Sequence, residues 1–366
     1  MNGVPESAEI NTREQQMLKQ VAVGTLCICA GEASAQFEVK PYGVLDVYGS
    51  YSHAGSISQS RIQSGGASTS RLGLLTTYDF NDDWRLSGIL ESGIDLIEGE
   101  FLKRTPFNRE AHVKLESKSY GTLTYGRQYS ASIGMEDDPF LAVSRFSPFV
   151  SVGSNVSGLG AGGTALGSRI SRAISYTTPT VKSTRVQFLY SPNQATGPDE
   201  VGAENLGLLT IYDDSQWRLG AGYNRVRRIK DVAFEGKALE HVDTHMLTSV
   251  VGYHFPMFYG NLGFNYYKPD SPNARAAQIY SVGLVYPQTK YALRAGIYKR
   301  DVSGLGNVAN AIAIGGEYHL TSQWDVYFRA SFVENRNDSK FTTNAIELEE
   351  PGADPSAVGI GVRMRF

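Results

Sequence analysis

From Gly43 to Phe366 apolar and polar side chains alternate over successive segments of about ten residues, the period-two signature of β-strands with one apolar and one polar face. In Gly43–Tyr51, Leu45, Val47 and Tyr51 share one side, and Asp46, Tyr48 and Ser50 share the other. Leu72, Leu74, Thr76 and Tyr78 alternate against Arg71, Gly73 and Thr77. After the short polar turn Asp79–Asp83, Trp84, Leu86, Gly88 and Leu90 face away from Arg85, Ser87 and Glu91. Two such runs across a short turn predict a hairpin.

The connections keep a long/short rhythm. A Ser/Gly-rich loop is expected at His53–Ala67, and long connections near Glu98–Arg109, Asn193–Glu204, Arg228–Glu240, Lys268–Arg275, Asp301–Asn307 and Asn335–Asp354. Short ones lie near Ser117–Gly121, Pro179–Ser183, Asp213–Gln216, Pro256–Tyr259, Pro287–Thr289 and Leu320–Gln323. This rhythm predicts an all-β, antiparallel up-and-down transmembrane β-barrel of about sixteen strands, with one rim of short turns and one of long loops. Glycines 207, 220 and 222 blur the alternation in 197–230, and the run Arg185–Tyr190 is short.

The stretch Tyr129–Ser168 does not alternate. It holds Glu136, Asp137 and Asp138, then Pro139, the aromatics Phe140, Phe146 and Phe149, and a Gly-rich exit. A tube this wide would fill with water, so a constriction must come from a segment folded inside, and this stretch is long enough to supply one.

Charge places the faces. Asp46, Arg71, Glu91, Arg294, Glu317, Arg329, Arg363 and Arg365 fall on the polar sides of their strands. An arginine at the lipid midplane would cost ~2–4 kcal/mol, so these side chains belong in a wet lumen. Tyr78, Trp84, Trp217, Tyr253, Tyr291 and Trp324, near strand ends, suit two interfacial girdles.

Residues 1–35 read as a cleavable export leader: Lys19, the apolar run Val21–Gly31, and Ala33-Ser34-Ala35 before a cut that leaves Gln36 first. Glu6, Glu9 and Glu14 are unusual in a leader, and Met17 makes a cleaner start. The alternative is an amphipathic N-terminal helix of the folded protein. Residues 36–366 then form the barrel. Cys27 and Cys29, the two cysteines, fall in the leader, so the exported chain has no disulfide or thiolate metal site. Beyond the leader no apolar run of 18 residues occurs, and a closed barrel is the remaining way to satisfy every backbone group in lipid. A net charge of -3 gives no reason to expect nucleic acid as a partner.

Tyr42-Gly43-Val44-Leu45-Asp46, Ser70-Arg71-Leu72-Gly73-Leu74, Phe107-Asn108-Arg109-Glu110-Ala111, the run Gly121–Tyr129 and the ending Gly359–Phe366 resemble the Gram-negative general-porin family, in its β-proteobacterial branch. The resemblance covers essentially the chain after the leader. It implies a homotrimeric 16-stranded barrel in the outer membrane, a third external loop folded into the lumen, and passive diffusion of ions and small hydrophilic solutes. It also implies that the terminal Phe366, closing the apolar face Val358, Ile360, Val362 and Met364, is read by the outer-membrane insertion machinery.

Carried over, the family's wall arginines map onto Arg71 and Arg127, with a third at Arg169 or Arg172, of which Arg172 is favoured because it opens the next strand. Glu136, Asp137 and Asp138 would face them across the gap. Such opposed charges set a transverse field, focused by the low-dielectric wall. Leu141, Val143, Phe146, Phe149 and Val150 add apolar bulk, which fits packing on the wall or a channel selective for small aromatic or carboxylate solutes.

Other classes are less well supported. The six histidines sit in no catalytic motif, so an outer-membrane barrel enzyme lacks its constellation. His241 and His245 on one strand would stand ~13 Å apart, too far for one ion. Gly158–Gly163 matches G-x-G-x-x-G without the strand–helix frame and reads as a loop return. A plugged adhesive barrel is the other alternative. No cofactor is expected.

Overall fold

The computed structural model describes residues 37–132, 137–142, 144–192, 203–229, 233–344, 346–348 and 350–366. The expected cleavage site at Ala35 and Gln36 and the start at Met17 lie outside these residues, as do Glu136 and Val143. Val39–Phe366 forms one compact unit; of the unit before it only Phe37 and Glu38 are described.

The strands are β1 (Phe37–Ala54), β2 in two runs (Ile57–Ser64 and Arg71–Asp79), β3 (Trp84–Asp95), β4 (Glu110–Ser117), β5 (Gly121–Tyr129), β6 (Arg169–Thr177), β7 (Thr184–Ser191) and β8 (Ala203–Asp213). The second half comprises β9 (Trp217–Ile229), β10 (His241–His254), β11 (Tyr259–Pro269), β12 (Ala277–Pro287), β13 (Tyr291–Val302), β14 (Val308–His319), β15 (Trp324–Asn335) and β16 (Ser356–Arg365). Each pairs antiparallel with its neighbours, and β16 returns to β1 with Val44 opposite Arg365 and His53 opposite Ser356. The result is a closed 16-stranded barrel.

Parity decides what each face meets. On β16 Val358, Ile360 and Val362 point outward, while Ala357 and Arg363 are buried inside. On β14 Ile312 and Ile314 point outward and the small Ala309, Ala311 and Ala313 point in. Those alanines leave room for a loop. The main apolar core accordingly lies between wall and loop: Phe149, Val152 and Leu159 from the Tyr129–Arg169 connection pack with Met246, Tyr267, Ile279, Tyr298, Ala309 and Ala311.

Three expectations change. The predicted loop His53–Ala67 is mostly strand: β1 runs to Ala54, turns at Gly55, and pairs with Ile57–Ser64. Ser58, Ser60 and Ser64 are strand residues there, paired in register with His53, Tyr51 and Val47 of β1, while the glycines stay in the turn and past the end of the run. The six aromatics assigned to two girdles all sit at the short-turn rim. Trp84 stacks on Tyr120, and Trp217, Tyr253 and Phe255 form a chain of edge contacts. The Asn335–Asp354 connection, expected as an external loop, turns inward, where Phe341 and Ile346 are buried.

Candidate functional site

The seat for the inward loop starts as a dent in the wall. Between its two runs β2 breaks at residues 65–70, and the Asp46 carboxylate accepts the backbone N–H groups of Gly66 (3.0 Å), Ala67 (3.2 Å) and Ser68 (2.8 Å). Tyr327 donates its hydroxyl to the same carboxylate at 2.6 Å. A carboxylate accepting several donors is a strong, charge-assisted anchor. A Cβ at Gly66 would come within 2.5 Å of the Tyr327 hydroxyl and 2.6 Å of the Tyr48 ring, so glycine is required there.

The carbonyl of Gly66 then receives the loop. Ser144 donates Oγ at 2.8 Å and Arg145 its N–H at 3.2 Å. Phe146 packs edge-on against Tyr48, centroids 5.8 Å apart, and Phe149 against Tyr298 at 6.4 Å. Farther along, Tyr267 donates to Gly153 O (2.9 Å) and Arg300 to Ser157 O (2.9 Å). The second inward loop locks this arrangement: Asn344 N–H donates to Arg145 O at 3.2 Å, and Tyr48 donates its hydroxyl to Asn344 Oδ1 at 2.6 Å. Arg300 lies over the Phe341 ring at 4.7 Å, so one buried cation touches both loops. Gly158–Gly163 is the loop's return, tied to the β11–β12 connection by Arg275 N–H donating to Leu159 O at 2.7 Å.

Between loop and wall lies a cavity of about 790 Å³. Eight arginines line it: Arg71, Arg109, Arg169, Arg218, Arg294, Arg329, Arg363 and Arg365. Glu317 is the one carboxylate among its described lining residues. The carboxylates that pair with these guanidinium groups are nearly buried. Glu91 accepts from Arg109 (2.5 Å) and Arg71 (3.2 Å). Glu317 accepts from Arg329 (2.5 Å), Arg294 (3.1 Å) and Arg363 (3.2 Å). Asp325 accepts from Arg363 and Arg365, both at 2.8 Å, and His319 Nδ1 stands 2.6 Å away. Arg365 is 40% exposed while Asp325 is 0% exposed, so solutes meet the cation and not its partner.

The expected site residues separate into groups. Arg71 and Arg169 line the cavity. Arg127 and Arg172 line a neighbouring cavity of about 300 Å³, which shares Arg169 with the first. Register explains Arg172: Gly126 pairs Ala173 but Gln128 pairs Ile170, so Ser171 and Arg172 form a bulge opposite Arg127. Arg172 takes φ +53° there, and a bulge re-aims side chains. Arg127 donates to Asn108 O and Ser171 Oγ, both at 2.8 Å.

Asp137 and Asp138 are buried against the wall, and of the cavity arginines Asp137 meets Arg218, which is not among the expected partners. Asp137 Oδ1 accepts from Tyr259 (2.8 Å) and Arg218 Nε (2.9 Å), and Asn261 donates to its carbonyl at 2.6 Å. Burial pushes its carboxyl above the usual range, opposed by the Tyr259 and Arg218 contacts. Asp138 Oδ2 accepts Ala142 N–H (2.7 Å) and Ser147 Oγ (2.8 Å), and burial pushes its carboxyl up to about 6. Sequence alternation carried a signal for Arg218, which follows Trp217 on the polar parity. Arg109 lies inside the motif Phe107–Ala111 yet precedes its strand, where parity says nothing.

Of the histidines, His245 stacks on Tyr223 and bonds its hydroxyl at 2.8 Å. His241 lies near Asp243 and Asp270, but Arg227 holds both oxygens of Asp243, at 2.7 and 2.8 Å.

Comparison with known proteins gives one consistent picture. The sequence model of the Gram-negative porin family matches residues 22–338. "Outer membrane porin protein 32" of Delftia acidovorans is 25% identical over 370 residues, covering 96% of this chain and 100% of that protein. Among solved structures, the anion-selective porin from Comamonas acidovorans superposes with a TM-score of 0.75 at 22% identity, over 90% of this chain and 100% of that one. OmpT of Vibrio cholerae in its trimer form gives 0.64 at 16% identity, over 90% and 100%. A Salmonella typhi OmpF complex with daunomycin gives 0.62 at 16%, over 89% and 97%.

Proposed function

The chain belongs to the Gram-negative porin family and is a passive diffusion channel of the outer membrane; from that premise we propose that the channel prefers small anions. The observation that carries this reading is the imbalance of exposed charge at the cavity: of the arginines that line it, Arg71, Arg218, Arg294 and Arg365 keep 17–40% of their side chains exposed, while their partners Glu91, Asp137, Glu317 and Asp325 keep 0–6%. A charge near water in a narrow, low-dielectric passage governs local ion concentration, and a carboxylate screened by its own guanidinium contributes little. The chain's overall charge of -3 does not enter, because field lines in the gap come from the nearest groups.

In this reading Arg71 and Arg169 belong to the constriction, and Arg127 and Arg172 form an approach to it through the cavity that Arg169 shares. Asp137 and Asp138 position the loop. The family consists of channels, and the proposed solutes are small hydrophilic ions with no chemistry performed on them. Homotrimeric assembly and delivery by the insertion machinery through Phe366 belong to the same proposal.

The test is the zero-current potential of the purified protein in a planar bilayer under a KCl gradient. A potential of the sign set by chloride is expected, and Arg71→Gln with Arg365→Gln should move it toward zero. A potential set by potassium in the unaltered protein would overturn the reading.

A further inference from the structure

Among the described residues, the loop side of the cavity carries no charge. Phe140, Leu141 and Ala142 form its lip, and Leu141 is 56% exposed in a cavity otherwise dominated by guanidinium groups. Leu141 and Ala142 also take left-handed backbone angles, φ +59° and +48°. Two adjacent non-glycine residues in that region are strained, and strain of this kind persists only where surrounding structure enforces it.

Here the enforcement is visible. Leu141 N–H donates to Asp138 O at 2.7 Å, and Ala142 N–H to the buried Asp138 carboxylate at 2.7 Å. Arg294 fixes the preceding carbonyl, Pro139 O, at 2.7 Å. The turn is therefore clamped on both sides, and the clamp holds Leu141 out of the loop's own core. Phe140 links the two halves of the gap: the Arg329 guanidinium lies 5.6 Å from its ring centroid. Arg329 thus touches the apolar lip directly, and Arg294 the carbonyl just before it.

An apolar lip beside a cationic wall suits a solute that is both. The geometry points to a subsite for amphipathic monocarboxylates: the carboxylate lies on the wall arginines, and an aromatic or branched apolar tail lies on Leu141 and Ala142, with the buried Phe140 behind them. A guanidinium pairs a carboxylate with two parallel hydrogen bonds, which fixes the headgroup. The tail then covers Leu141, releasing the water its exposed side chain orders. Inorganic anions use the first half of the site and not the second. This inference rests on the anion-preferring reading and names the solute class within it.

The test compares block of KCl current by benzoate with block by acetate, which carries the same charge and no ring. Benzoate should half-block at a concentration about tenfold lower than acetate, the effect of ~1.4 kcal/mol of added contact. Leu141→Asn keeps a residue that tolerates the left-handed turn but removes the apolar surface, and should bring the two concentrations within about twofold. Leu141→Met should keep the preference for benzoate. Equal block by the two acids in the unaltered channel, or a benzoate preference that survives Leu141→Asn, would overturn the subsite. A potassium-preferring zero-current potential would remove the anion reading itself, so the two failures are told apart by the KCl gradient alone.

Discussion

Asp138 is a carboxyl group in a seat with almost no water, and its behaviour with pH follows from that. Its folded pKa, about 6, lies above its ordinary value of 3.8 because burial disfavours the charge more than its hydrogen bonds favour it. Between those values the folded chain keeps a proton that the unfolded chain has released. Stability of the seat is therefore greatest below that window and falls as pH rises through it. Open-channel current noise should grow as pH is raised from about 4 to 7, and Asp138→Asn should flatten the trend. An equal slope in the variant would mean that another group is responsible. The sequence showed the acidic triplet but not its direction. A loop has no parity, and the donors that turn Asp137 and Asp138 toward the wall, Tyr259, Asn261 and Tyr298, are more than a hundred residues away. Arg294, Arg329, Arg363 and Arg365 were legible because each sits in a strand whose apolar residues fix its face.

At the scale of elements, the constriction is held by backbone groups that a broken strand makes available. The dent at residues 65–70 frees the Gly66 carbonyl for Ser144, and Asp46 holds the dent open. Asp46→Asn replaces a charged acceptor with a half-donor facing backbone N–H groups, a loss of ~1.5–3 kcal/mol by the usual worth of a charged hydrogen bond. The loop should loosen, giving larger and noisier single-channel conductance with the barrel intact. Unchanged conductance steps would show that the loop is seated by its aromatic anchors alone. The long/short rhythm of connections was readable from turn residues and polarity. The interruption of β2 and the bulge at Ser171–Arg172 were not, because each depends on the register of a partner strand. The second inward loop was missed for a related reason: its sequence is polar enough for an external loop, and its buried members, Phe341 and Ile346, are few.

For the whole molecule, the decisive contact is closure. Gly43 and Phe366 exchange backbone hydrogen bonds at 3.0 and 3.2 Å across the seam, and the Phe366 ring occupies the space a Cβ on Gly43 would need, 2.4 Å away. Gly43→Val should displace that ring and lower the yield of folded, heat-modifiable barrel on refolding into detergent; a yield equal to that of the unaltered chain would show the seam tolerates the change. The barrel itself was the most legible feature, because one period-two pattern repeated along the chain admits few other solutions in lipid.

Phe146 lies in a pocket made by Tyr48, Ala67, Tyr327 and Ala357. Those residues come from β1, the break in β2, β15 and β16, on the two sides of the seam. Until the last strand has met the first, that pocket does not exist, and the loop has nowhere to put its anchor. Assembly order follows: a freshly closed tube is a coarse hole through the membrane, and it becomes a sieve only when its own middle segment is tucked in behind the finished wall.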